Sequence, residues 1–316
     1  MRSKEAKRVI AWAFAGTVLT ASLWYLLATF QWLEIADTLR QVNVGWLGVA
    51  GVSILMYWFV RTVRWHVLLR QLGVDISFID LYLCTAVALG LAIVTPLQSG
   101  EVLKIELLKK YGKIERFSGY SSFFVERVTD LAVVFCLAIV SLLVSPDLGI
   151  DQWVAVRLIV LVMAVGAVAT AVLWNVRLPG SAGRFQASVR DCVRNARTLV
   201  TVLLLTLAGW ALVAVGWYAC LSSIGCRVGY MNTVMIMSTM TPVHILSLIP
   251  GAVGIAEASC TLFLLHLGQS APHAQAGSLM LRFYGIMILA LAVPHWYVRL
   301  RTSITLCADG SSRGGD

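Results

Sequence analysis

Six runs of apolar residues recur along the chain, at 9–30, 44–65, 119–144, 154–174, 199–223 and 277–299. A helix of about 20 apolar residues spans the hydrocarbon core of a bilayer, so each run reads as a full membrane span. Two further apolar stretches, 78–112 and 231–267, are each interrupted by a Pro/Gly break, at Pro96–Glu101 and Pro250–Glu257. The polar loops set the topology, because Lys and Arg collect on the cytoplasmic side. The N-terminus carries Arg2, Lys4, Lys7 and Arg8 and is placed inside; the 31–43 loop, with Glu34 and Asp37 against Arg40, is placed outside. The stretch from Lys104 to Arg116 is basic again, and the segment at Asp147 and Asp151 is acidic. Both loops obey the rule if 78–112 enters from the cytoplasm, turns at its break and returns. It is then a re-entrant helical hairpin. The strongly basic 175–198 loop falls inside, 231–267 becomes a second hairpin entering from the other face, and both termini are cytoplasmic.

The two halves also repeat one another. Gly73…Asp80, Pro96…Gly100-Glu101 and Arg127 in one half match Gly225…Asn232, Pro250…Gly254…Glu257 and Arg282 in the other. Glu101 precedes Arg127 by 26 residues and Glu257 precedes Arg282 by 25. The expected fold is therefore an all-α integral membrane protein with about six full spans and two re-entrant hairpins. Repeat 1 covers about 44–144 and repeat 2 about 199–299, in inverted orientation. Duplicated, interrupted membrane segments of this kind point to a transport site. An eight-span bundle with two Pro-kinked helices remains the alternative.

Composition narrows the class. Hydrophobic residues make up 59% of the 316 and charged residues 13%, about half the roughly 25% of a soluble chain. No polar stretch is long enough for a separate catalytic domain, so 1–316 reads as one polytopic membrane domain. The net charge of +9 could suggest nucleic acid. The cations lie in short loops between apolar runs, however, which is the membrane pattern, and no nucleic-acid partner is expected. The 9–30 run is longer than a signal-peptide core and reads as a retained first span. The seven cysteines form no C-x-x-C or zinc spacing; a Cys220–Cys226 disulfide is conceivable, but most of the seven read as small hydrophobes. No nucleophile elbow, phosphate loop or metal constellation occurs, and no cofactor is expected.

The candidate chemistry lies at the breaks and just beyond them. A helix interrupted at membrane depth must face protein or a wet cavity, since lipid cannot satisfy its backbone. Gly100, Gly251 and Gly254 would let a headgroup phosphate approach the free N–H groups of the following helices. Glu101 and Glu257 could equally be simple helix caps. Glu126, Arg127 and Asp130 sit inside an apolar span, where charges are expensive and normally face the bundle interior. Their spacing would set Arg127 and Glu126 beside Asp130. Arg127 and Arg282 could hold a lipid phosphate bidentately, or could form structural ion pairs with Glu101 and Glu257. Arg61, Arg64, Trp65 and Arg70 read as interfacial anchors, with headgroup recruitment open for Arg61 and Arg64. His244 and His295 read as isolated, hydrogen-bonded interior residues.

Three patterns then resemble a known family: Arg61-x-x-Arg64-Trp65, Thr95-Pro96-x-x-x-Gly100-Glu101-x-x-Lys104, and Glu126-Arg127-x-x-Asp130. Ile249-Pro250-Gly251-x-x-Gly254-x-x-Glu257 and Arg282 are similar to it too. This is the flippase-like membrane family typified by the transmembrane region of lysylphosphatidylglycerol synthase. The resemblance covers roughly residues 10–300 and implies movement of a charged phospholipid or lipid-linked substrate between leaflets of the cell membrane. Anionic or lipid-linked headgroups would be the partners, with a lipid-biosynthesis enzyme as a further possible partner. The chain carries no aminoacyl-transferase domain of the kind the synthase has. A membrane-embedded enzyme and an accessory subunit of envelope biosynthesis are the rival readings.

Overall fold

The structure is a computed structural model that describes residues 26–110, 114–144, 152–176, 179–246 and 249–311, with isolated positions between 16 and 24. Most of the span expected over 9–30 lies outside the described residues, as does the acidic 145–151 segment. The described chain is all helical: α1 (Trp32–Arg40), α2 (Val44–Gln71), α3 (Phe78–Val94), α4 (Leu103–Lys110), α5 (Arg116–Val144), α6 (Gln152–Asn175), α7 (Gly180–Val193), α8 (Ala196–Ser223), α9 (Tyr230–Leu246), α10 (Ile255–His266) and α11 (Ala271–Ser311). Among the described residues, α2, α5, α8 and the Ala271–Arg299 part of α11 are long and apolar enough to cross a membrane; α3, Val156–Val168 of α6 and α10 are shorter apolar helices.

The repeat read from sequence has local structural counterparts. α2 and α8 are both 28 residues long, and each begins at an asparagine, Asn43 or Asn195, whose side chain accepts a hydrogen bond from the backbone N–H two residues on. Such a cap satisfies one of the four orphan N–H groups of a helix start. Each helix is followed by a glycine at positive φ, Gly73 (74°) or Gly225 (73°), where a side chain would be strained. α3 and α9 are both 17 residues long.

Each short helix ends in a 3₁₀ break, at Pro96–Val102 and at Pro250–Ala252. After the first break the chain doubles back on α3: a Cβ at Gly100 would lie 2.6 Å from the Leu91 carbonyl carbon and 2.7 Å from the Ala92 nitrogen. α10 likewise packs against α9, and the two breaks touch each other.

α2 and α8 pack along one another at the centre. The long helix that follows each broken segment then crosses to the other half, α5 against α9 and α11 against α3. Gly90 makes the second crossing possible, since a Cβ there would fall 2.3 Å from the Ala292 methyl. Small residues permit such close approach of helices in a membrane.

Two segments expected to be loops are helical. The 31–43 stretch holds α1, which packs on α11 and buries Ile35. The 175–198 stretch holds α7, which docks on α5 with Ser188 and Ser121 hydroxyls 2.6 Å apart. Cys220 and Cys226 are buried free thiols, so the conceivable disulfide is not formed. His295 stacks edge-on with Trp58 and Tyr82, its Nδ1 2.7 Å from the Leu291 carbonyl oxygen.

Candidate functional site

The first break delivers Glu101 into the bundle, 3% exposed. Arg61 of α2 meets it with two donors, Nη2 to Oε2 at 3.0 Å and Nη1 to Oε1 at 3.4 Å, and donates also to the Tyr57 hydroxyl at 2.9 Å. Arg127 of α5 pairs with the same carboxylate and reaches Gln98 Oε1 at 3.4 Å. One turn deeper, Arg64 forks onto Asp130, with contacts of 2.6 and 3.2 Å, and donates to the Thr206 hydroxyl at 2.8 Å. Glu126, wholly buried, lies 3.4 Å from Arg64 and pairs with Lys104. Lys104 is itself 2% exposed, its ammonium 4.3 Å above the Trp65 ring.

This network corrects three sequence expectations. Arg61 and Arg64 are not interfacial anchors; both are buried, because α2 turns the Tyr57–Arg61–Arg64–Leu68 face inward toward three carboxylates. Arg127 does not sit against Asp130. Successive helix positions are 100° apart, so Glu126 and Asp130 share the face toward α2 while Arg127 points to Glu101. Lys104 does not belong to a solvated basic loop, since Glu126 holds it inside. Its only sequence signal was its place three residues beyond Glu101, one helical turn away.

The second break repeats the central pair without the network. Glu257 caps α10, accepting from the Gly254 N–H at 2.7 Å, and pairs with Nε of Arg282. Arg282 also donates to the Gly251 carbonyl. Gly251 and Gly254 adopt positive φ (63° and 86°), and a Cβ at Gly251 would fall 2.9 Å from Arg282 Nη1. Both readings of the breaks, cap and ion pair, thus hold together at Glu257.

The two pairs face one cavity of about 180 Å³ between the breaks. Arg61, Glu101 and Arg127 line one side and Glu257 and Arg282 the other; Trp58, Trp210 and Trp217 supply apolar walls. His244 also borders it, its Nδ1 2.9 Å from the Met240 carbonyl oxygen and its ring edge-on to Trp217. Arg127 and Arg282 are the least buried of the paired charges, with side chains 20% and 23% exposed against 4% for their glutamates. Among the described residues no group of three or more His, Cys, Asp and Glu is placed to hold a metal ion.

A bundle of apolar helices around two broken segments, with paired charges buried at their tips, defines a polytopic α-helical membrane protein. The chain belongs to the lysylphosphatidylglycerol synthase transmembrane-region family, whose model matches residues 10–292. It is similar to a UPF0104 membrane protein of Methanothermobacter thermautotrophicus, 20% identical over 82% of this chain and 87% of that one. A UPF0104 membrane protein of Pyrococcus horikoshii is 21% identical over 77% of this chain and 84% of its own.

Proposed function

We propose that this protein translocates a charged lipid, carrying the headgroup through the central cavity while the acyl or prenyl chains stay in the bilayer. The membership of a family named for a lipid synthase's membrane region supports a lipid-related role. The observation that carries the reading is the convergence of both Arg–Glu pairs, one from each break, on a single cavity. In this reading the two halves form an inverted repeat that rocks about α2 and α8, opening the cavity to each leaflet in turn. Both termini are assigned to the cytoplasm and the protein to the cell membrane.

The pairing geometry suits exchange. If a phosphate draws Arg127 away, Glu101 keeps its two contacts with Arg61; if it draws Arg282 away, Glu257 keeps the Gly254 N–H. Neither carboxylate is left buried without a partner, the situation that makes breaking an ion pair costly. Arg64, Asp130, Lys104 and Glu126 form the fixed frame against which those two arginines move.

Reconstitution into vesicles bearing a fluorescent anionic phospholipid tests this, with leaflet exchange read by a membrane-impermeant quencher. Wild-type protein should equilibrate the probe between leaflets, whereas Arg127→Ala and Glu101→Ala should abolish exchange while remaining folded in the membrane. Normal exchange by both variants refutes the site assignment.

A further inference from the structure

The two halves share a tryptophan at matching positions, Trp58 and Trp210, but differ at five charged positions around their shared pair. Counting from the matching caps Asn43 and Asn195, Arg61 and Arg64 of the first half correspond to Val213 and Gly216 of the second. Counting from Arg127 and Arg282, Glu126 and Asp130 correspond to Leu281 and Gly285; counting from the two glutamates, Lys104 corresponds to Cys260. The ion network has therefore been replaced by small or apolar residues. Four of them, Val213, Cys260, Leu281 and Gly285, line the cavity.

The charges left behind have a sign. Arg61, Arg64, Lys104, Arg127 and Arg282 face four carboxylates, Glu101, Glu126, Asp130 and Glu257, which leaves one positive charge in the cluster. Donors are in excess as well: Arg282 Nη2 and the indole N–H groups of Trp58 and Trp210 have no acceptor among the described residues. All three side chains border the cavity. Buried donors normally find acceptors, so an acceptor-rich, negatively charged guest is the missing complement.

We propose that the Arg282 side of the cavity is a binding site for the phosphate of a lipid whose headgroup carries no compensating cation, seated against Arg282 beside Gly285. This rests on the translocation reading and adds the ligand class and its place. The headgroup oxyanion accepts from Arg282 Nη2 and from the indole N–H groups of Trp210 and Trp58, donors that have no other acceptor among the described residues. A zwitterionic or cationic headgroup brings its own ammonium beside Arg282 and is rejected by like-charge repulsion.

Gly285 gives the test. A Cβ there would meet only the Ile93 Cγ2 at 3.6 Å, an ordinary contact, so the position accepts a side chain. Gly285→Asp adds a carboxylate at the wall of the site, while Gly285→Asn has the same size without the charge. Binding is measured by calorimetry on the full chain in detergent, with dihexanoyl phosphatidic acid, dihexanoyl phosphatidylcholine and inorganic phosphate as probes. The phosphatidic acid should bind wild type at least about tenfold more tightly than the choline lipid, and Gly285→Asp should bind it at least about tenfold more weakly than Gly285→Asn. Glu257→Gln keeps an oxygen to cap Gly254, frees Arg282 and should bind it at least about tenfold more tightly than wild type.

Equal binding by the Asp and Asn variants, or no tightening in Glu257→Gln, overturns the proposal. If neither residue-285 variant binds, Glu257→Gln decides alone, tighter binding supporting the site and unchanged or weaker binding overturning it. Inorganic phosphate binding as well as the lipid overturns the lipid assignment. Because detergent has no two compartments, tight binding together with absent leaflet exchange rejects translocation while leaving this site intact.

Discussion

At the scale of the residue, the buried charges divide into those that hold the fold and those placed to move. Asp130 is shared by Arg61 and Arg64, and all three are within 5% exposure. Asp130→Asn keeps the volume and removes the charge, leaving two guanidiniums short of a counter-ion. A loss of about 3–5 kcal/mol is expected, the usual cost of breaking a buried pair from one side. Arg282→Gln should cost clearly less, because Glu257 retains its cap and the arginine is 23% exposed. Denaturant unfolding in detergent compares the two; equal losses would show that the second pair is structural in the same sense as the network. The Arg–Glu pairs were legible in the sequence because a charge inside an apolar span, or beside a Pro/Gly break, stands out against its neighbours. The partners of Asp130 and Glu126 were not: spacing along α5 set them beside one another, but they pair with Arg61 and Arg64 of α2 and with Lys104, a choice made by tertiary packing that no local period encodes.

At the scale of the element, the breaks are held by backbone that only particular residues tolerate. Gly254 has φ 86° and ψ −51°, a conformation essentially closed to side chains, and it opens the helix that carries Glu257. Gly254→Ala should cost about 1–3 kcal/mol of stability through strain, with Arg282 losing its partner geometry. Gly100 fails differently: its φ is ordinary, but an added methyl would run into the backbone of Leu91 and Ala92. Gly100→Ala should force the returning chain off α3 and displace Glu101 from Arg61. Thermal unfolding of both variants checks this, and wild-type melting of Gly100→Ala would mean that the chain does not double back so closely. The Pro/Gly interruptions were readable from the sequence. The helices α1 and α7 were not, since both are short and polar enough to pass for loops, and they owe their order to docking on α11 and α5.

At the scale of the whole molecule, exchange of partners between the halves gives the arrangement its meaning. α11 of the second half packs on α3 of the first, and α5 of the first on α9 of the second, so neither half is complete alone. In the proposed translocation the two crossed halves rock as units while the breaks stay together at the centre. The matched Pro/Gly, Glu and Arg positions were visible in sequence. The asymmetry of the halves was equally written there, as Val213, Gly216, Cys260, Leu281 and Gly285. Four of those residues, Val213, Cys260, Leu281 and Gly285, gain notice only because they border the cavity. The central claim is one cavity at the breaks, open to each face in turn. Cysteines introduced singly at Gln98 and Ala252, in a background depleted of native cysteines, test it through labelling by impermeant reagents from either side of sealed membranes. The expected result is slow labelling at both positions, through opposite faces, and protection by an anionic lipid. Free labelling of Gln98 from the outside alone would mean that 78–112 simply crosses the membrane, and the alternating cavity would be ruled out.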